Sequence, residues 1–185
     1  MTIFETERLV VREWTESPGD LERAYDIYRR PETNRWLQAP NLPLTAPEEA
    51  AVMLRRWHDR FAAYGGRYGL WAIEVRESGL VVGTVMIKPL PGPDESVLTD
   101  DIEVGWHLHP DAQGKGYATE AAGAAMRREF AAGTAAIFAV VAPGNTASMA
   151  VARRLGMTPV GLHSDWYGGK ELETFVATAR DFARG

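Results

Sequence analysis

The chain has 185 residues, 45% of them apolar and 24% charged, the balance of a soluble globular domain long enough to bury its own core. It contains no cysteine, which excludes disulfides, thiolate metal sites and a cysteine nucleophile. Acidic residues number 25 against 20 basic ones, a formal charge of -5, and the basic residues are scattered, so no nucleic-acid partner is expected. No apolar run approaches the ~20 residues of a membrane span and the start carries no signal pattern, so a cytoplasmic protein without a membrane partner is expected. Residues 1–185 read as one domain, with no internal repeat and no linker.

In chain order, residues 8–14 (RLVVREW) read as a first strand, broken by SPGD. Residues 20–30 read as a helix stopped by Pro31. Residues 36–47 carry three prolines and read as a loop. Thr45, with Glu48 three positions on, has the pattern of a capping box, opening a helix that ends at Gly65 and Gly66. Three strands follow, in YGLWAIEVR, LVVGTVMIK and DIEVGWHLH, the last two separated by the loop-like PLPGPDESVLTD. Residues 117–132 read as a helix, AIFAVVA as a short buried strand, and residues 145–155 as a helix closed by Gly156. MTPVGLH and LETFVATAR complete the sheet. This order is an α/β fold around one mixed sheet of about six or seven strands with about four flanking helices.

The most informative stretch is HPDAQGKGYATEA, residues 109–121. A helix start presents free N–H groups and a partial positive charge. Gly114 and Gly116 let the backbone turn sharply and approach a ligand, and Lys115 adds a cation, so the pattern is that of a diphosphate site. It is not a Walker loop, because Gly116 rather than Ser or Thr follows Lys115. It is a poor dinucleotide fingerprint too, with Thr119 at the third glycine position and Ala136 where the acid would stand. Alone, it could be a plain strand-to-helix turn. The preceding strand, however, alternates Ile102, Val104, Trp106 and Leu108 with Glu103, Gly105, His107 and His109, so a polar face leads into the loop.

Gln113, Gly116 and Ala118 in QGKGYA match the Gln/Arg-x-x-Gly-x-Gly/Ala signature, and the chain thereby resembles the GNAT acetyltransferase superfamily. GWHLHPDAQGKGYATEA, ETERLVVREW and NTASMAVARRLGM resemble in particular the branch that acetylates N-terminal amines of ribosomal proteins. The resemblance spans nearly the whole chain, with its strong motifs within residues 103–157. It implies a mostly antiparallel GNAT sheet and acetyl coenzyme A (acetyl-CoA) as cosubstrate, with no metal. It also implies that Gln113, Gly114, Lys115, Gly116, Tyr117, Ala118 and Thr119 wrap the pyrophosphate, while the backbone of His107, Leu108 and His109 pairs with the pantetheine arm.

Acetyl transfer to an amine requires loss of the ammonium proton, polarisation of the thioester and departure of the thiolate. The family takes the amine proton with a strand glutamate thirteen residues before the motif glycine. Glu103 stands at that spacing from Gly116; otherwise it is a solvent-facing or arginine-paired glutamate. On the helix that opens at Asn145, Asn145, Ser148, Ala152 and Leu155 share one face. Asn145 is an N-cap, a ligand for a cosubstrate amide, or both. Many members carry a tyrosine acid seven residues after this asparagine; Ala152 occupies that place, and the general-acid role passes by resemblance to Ser148. His107, His109 and Asp111 hint at a metal, but nothing completes a ligand set. The tryptophans at 36, 57, 71 and 106 read as core or pocket wall. Asp165, Trp166 and Tyr167, between the last two strands, are candidates to grip a cationic acceptor; otherwise they form an exposed turn.

The function implied is direct transfer of acetyl from acetyl-CoA to a primary amine, of a protein N-terminus or a small molecule, in a ternary complex. The alternative is a non-catalytic acyl-CoA-binding sensor or interaction module. Sheet edges of such a fold leave room for a homodimer.

Overall fold

The computed structural model of the protein describes residues 1–37 and 42–182, so part of the loop expected over 36–47 lies outside the described residues. Strands β1 (Thr2–Glu5) and β2 (Leu9–Arg12) form a hairpin, followed by α1 (Pro18–Tyr28), a single turn α2 (Pro31–Asn34) and α3 (Glu48–Phe61). Strands β3 (Gly69–Val75), β4 (Val81–Pro91) and β5 (Leu98–Leu108) lead to α4 (Tyr117–Ala131). Then come β6 (Ala136–Val141), α5 (Thr146–Arg154), β7 (Thr158–His163), β8 (Leu172–Thr178) and a last turn, α6 (Ala179–Phe182). One eight-stranded sheet results, ordered β1-β2-β3-β4-β5-β6-β8-β7. Its β5–β6 contact is parallel and every other pairing is antiparallel.

The mixed, mostly antiparallel sheet is as expected, with one strand more and two single-turn helices added. The added strand, β1, escapes sequence reading because four residues with exposed ends carry no alternation. SPGD does not merely break a strand. Ser17 caps α1 by accepting from the Asp20 N–H at 3.3 Å, and Pro18 sits in the first turn, where no N–H is needed. The capping carboxylate of α3 is Glu49 rather than Glu48: it accepts from the Thr45 N–H at 2.6 Å and the Ala46 N–H at 3.2 Å. β4 and β5 run well into the proline-rich segment, leaving only residues 92–97 as the turn. Pro89 is tolerated because pairing with β3 stops at Ile87, so no donor is required on that side.

Helix α4 covers one face of the sheet. Ala121, Ala122, Ala125 and Met126, each at most 1% exposed, pack with Ile87, Val104 and Ile137 in the main core. The alanines bring the helix close, and each fully buried large side chain contributes roughly 1.5–3 kcal/mol. Helices α1 and α3 build a second core on the opposite face from Ala24, Ile27, Tyr28, Ala50 and Leu54. A cleft remains between this second layer and the centre of the sheet.

Candidate active site

β5 and β6 pair at Ile102–Ile137 and Glu103–Phe138, and then diverge. The His109 N–H donates to the Val82 carbonyl at 2.9 Å, which fixes the alternation along β5. His107 and His109 turn their backbone groups toward β4, whereas Val104, Trp106 and Leu108 turn theirs toward β6, where pairing has ceased. This corrects the sequence expectation. Of His107, Leu108 and His109, Leu108 offers backbone to the wedge; the His109 carbonyl is also taken, by the Ala112 N–H at 2.9 Å. A cleft of about 1600 Å³ fills the wedge and runs on beneath α1 and α3.

The glycine loop closes one end of the cleft. Gly114 and Gly116 have φ of 74° and 81°, conformations that a side chain disfavours. Gly116 is the N-cap of α4, and no side chain caps that first turn. Gln113, Gly114, Gly116, Ala118 and Thr119 line the cleft. Lys115 and Tyr117 do not: the Lys115 carbonyl accepts from Arg8 at 3.0 Å, and the Tyr117 ring lies beneath the same guanidinium. The Lys115 side chain, expected to add a cation, is not among the groups that line the cleft.

On α5, Asn145 is buried and its Oδ1 accepts from the Ser148 N–H at 3.2 Å, the capping role read from sequence. Asn145 and Ser148 both line the cleft beside the glycine loop, and Ala152 and Leu155 continue the same face into the core.

Glu103 lies deep in the cleft and is 3% exposed. Its Oε2 accepts from Lys88 Nζ at 2.5 Å and from the Tyr167 hydroxyl at 2.6 Å, and Lys88 also donates to the Tyr167 oxygen at 2.7 Å. The partner is thus a lysine, where the sequence suggested solvent or an arginine. Lys88 was missed because it becomes the cross-strand neighbour of Glu103 only through the register of the β4–β5 hairpin. Of the three acceptor candidates only Tyr167 enters the cleft. Asp165 pairs with His163 at the surface, and the buried Trp166 donates its indole N–H to Asp101 at 3.0 Å. Tyr167 has φ of 51°, alone among the described non-glycine residues in being positive, a strain of about 1–3 kcal/mol that its surroundings must hold. Burial and the neighbouring Glu103 raise the phenol well above its ordinary pKa, so it remains a neutral donor.

Further along the same face of β5, His107 Nδ1 lies 3.1 Å from the Tyr28 hydroxyl, itself 2.6 Å from Thr84 Oγ1. Desolvation, aided by the Lys88 charge, pushes the imidazole down to about 4 and keeps it neutral near pH 7. His109 points away to Asp26, at 3.1 Å, and Asp111 to solvent. Among the described residues no group of three or more acidic or histidine side chains is placed to hold a metal ion. Trp36, Trp57 and Trp106 line the cleft, and Trp71 is core.

An open sheet wedged between β5 and β6, with a glycine loop and an uncapped helix at its mouth, defines the acetyltransferase class of fold. The family profile described as acetyltransferase (GNAT) domain matches residues 8–158, and the chain belongs to that family. Among solved structures, an acetyltransferase from Agrobacterium tumefaciens str. C58 superposes with a TM-score of 0.71 at 24% identity, over 94% of this chain and 92% of that one. RimL, a ribosomal L7/L12 alpha-N-protein acetyltransferase solved in complex with coenzyme A, gives 0.75 at 17% identity, over 96% and 98% of the two chains. Spermidine N-acetyltransferase from Vibrio cholerae, solved with coenzyme A and spermine, gives 0.69 at 15% identity, over 96% and 99%. At these identities the likeness is one of fold.

Proposed function

We propose that this protein is an N-acetyltransferase that moves an acetyl group from acetyl-CoA directly to a primary amine. The observation that carries the reading is the meeting of two unpaired backbone surfaces. The wedge-facing edge of β5 at Val104, Trp106 and Leu108 leads to the uncapped first turn of α4 at Gly116. An extended pantetheine arm would pair with the first, and its diphosphate would accept from the second. Gln113, Gly114, Ala118 and Thr119 would border the phosphates, with Lys115 and Tyr117 adding main-chain groups. Asn145 would hold a cosubstrate amide with the side-chain nitrogen that its cap leaves over.

Glu103 is the proposed base. Ser148, with its hydroxyl at the cleft wall, is proposed to hydrogen-bond the departing sulfur and pass it a proton. The acceptor enters on the α1–α3 side, between Trp36, Trp57 and Tyr167. It is a primary amine of a protein N-terminus or a small molecule, the two kinds of acceptor named for the RimL and spermidine enzymes.

The test is a Glu103→Gln variant assayed by calorimetry with coenzyme A and by turnover on an amine panel. Retained binding with a loss of about 100-fold or more in kcat supports the reading. Absence of turnover by the wild type on amines, with no slow thioester hydrolysis, contradicts it and leaves an acyl-CoA-binding module.

A further inference from the structure

Glu103 has two carboxylate oxygens in unlike situations. Lys88 and Tyr167 both donate to Oε2. Oε1 has no hydrogen-bond partner among the described residues, yet it is not sealed from solvent. The geometry is held from several sides. Lys88 is fixed by the strand register, and Tyr167 by its left-handed backbone, by Trp166 on Asp101 and by the Gly168 N–H on the Gly92 carbonyl at 3.4 Å. All three polar side chains line the acceptor half of the cleft. A loop that accepts backbone strain to place one phenol on one carboxylate oxygen does more than cover an edge.

We propose that Lys88 and Tyr167 complete the acceptor site, orienting Glu103 so that Oε1 receives the amine proton, with the Lys88 charge holding the bound amine in its neutral, nucleophilic form. This rests on the N-acetyltransferase reading and deepens it. Donors on the two oxygens of one carboxylate stand roughly 4–6 Å apart. An acceptor ammonium at Oε1 therefore faces the Lys88 ammonium at a distance where like charge favours loss of a proton. The step balances. The ammonium gives one proton to Oε1; its nitrogen lone pair forms the C–N bond as the C–S bond breaks and that pair leaves on sulfur. The second nitrogen proton neutralises the thiolate, and the proton on Glu103 returns to water. Tyr167 is a positioning residue, and Lys88 acts electrostatically on the amine.

The charged groups around this point come from every side. Arg60 on α3 and Glu95 in the β4–β5 turn both act on Tyr167, with opposite effects. Lys170 and Glu171 line the cleft from the β7–β8 loop. His107, on the same face of β5, is neutral. Lys88 is the cation that touches Glu103.

The experiment is the pH profile of kcat for one good amine acceptor, in the wild type and in Lys88→Met, Lys88→Gln, Lys88→Arg and Tyr167→Phe, with calorimetric coenzyme A affinity and melting temperature measured on each. Lys88→Met and Lys88→Gln are expected to move the rise of kcat about one pH unit or more to the basic side. Lys88→Arg should restore it. Tyr167→Phe should lower kcat about ten-fold with KM for acetyl-CoA unchanged. The glutamine variant keeps a donor for Glu103 should the methionine variant not fold. A fall in kcat without a shift of the profile in either uncharged variant, or a Tyr167→Phe enzyme equal to wild type, overturns the inference while the acetyltransferase reading stands. A wild type that binds coenzyme A but acetylates no amine overturns both.

Discussion

Glu120, in the first turn of α4, accepts the backbone N–H of Arg8 at 3.0 Å and its side-chain Nε at 2.6 Å. The turn leading into β2 and the start of α4 are thereby one unit, although 112 residues separate Arg8 from Glu120. Thr6 adds its hydroxyl to the same carboxylate at 2.6 Å, and Arg8 reaches on to the Lys115 carbonyl. The cleft-facing side of the loop is left open because its bracing comes from behind.

Arg8→Ala is expected to raise KM for acetyl-CoA about three- to ten-fold with little change in kcat, through loss of this brace. Arg8 is 47% exposed, so the stability cost should stay within about 1 kcal/mol. Steady-state kinetics and a thermal melt check both.

Gly116→Ala and Gly114→Ala should separate. Both meet a left-handed backbone, a penalty of roughly 1–2 kcal/mol. A Cβ at Gly116 would also stand 3.2 Å from Arg8 Nη2, whereas one at Gly114 meets open space. Coenzyme A affinity should fall more for Gly116→Ala, by ten-fold or more in a calorimetric titration.

Asn145→Ser tests whether one residue does two things. Serine keeps the cap of α5, so melting should change by only a few tenths of a kcal/mol. The lost side-chain amide should nonetheless weaken acetyl-CoA binding several-fold. Equal affinity would confine Asn145 to capping.

Stability should depend on His107 at mildly acid pH. Its folded-state value of about 4 lies below the ~6.5 of an unfolded chain. Between the two, the unfolded state binds more protons, so the contribution is full above about pH 6.5 and lost as pH falls toward 4. His109, lowered by burial and by Arg23 and Arg30, acts in the same direction. For half-buried His107 the contribution is at most about 3 kcal/mol. His107→Gln should shrink the drop in melting temperature between pH 7 and pH 4.5 by about 3–8 °C. An unchanged drop would contradict this.

The regular elements were legible in the sequence: α4 over residues 117–132, α5 from Asn145 to Gly156, and β5 from its alternation. So was the glycine turn ahead of α4. What stayed hidden depends on register and on contacts between distant segments. Lys88 meets Glu103 only across a hairpin whose turn had been read several residues too long. Tyr167 sits in a segment with no periodicity, and its side chain is aimed by a backbone conformation that residue type does not announce. His109 looked like a cofactor contact because it precedes the loop, but strand alternation turns its backbone to β4 and Asp26 takes its ring.

The most direct measurement is calorimetric titration of the purified protein with coenzyme A and, separately, with pantetheine, which lacks the diphosphate. The account predicts micromolar affinity for coenzyme A, weakened at least about ten-fold for pantetheine and likewise for coenzyme A with Gly116→Ala. No heat from coenzyme A at millimolar concentration, or equal affinity for the two ligands, would contradict it.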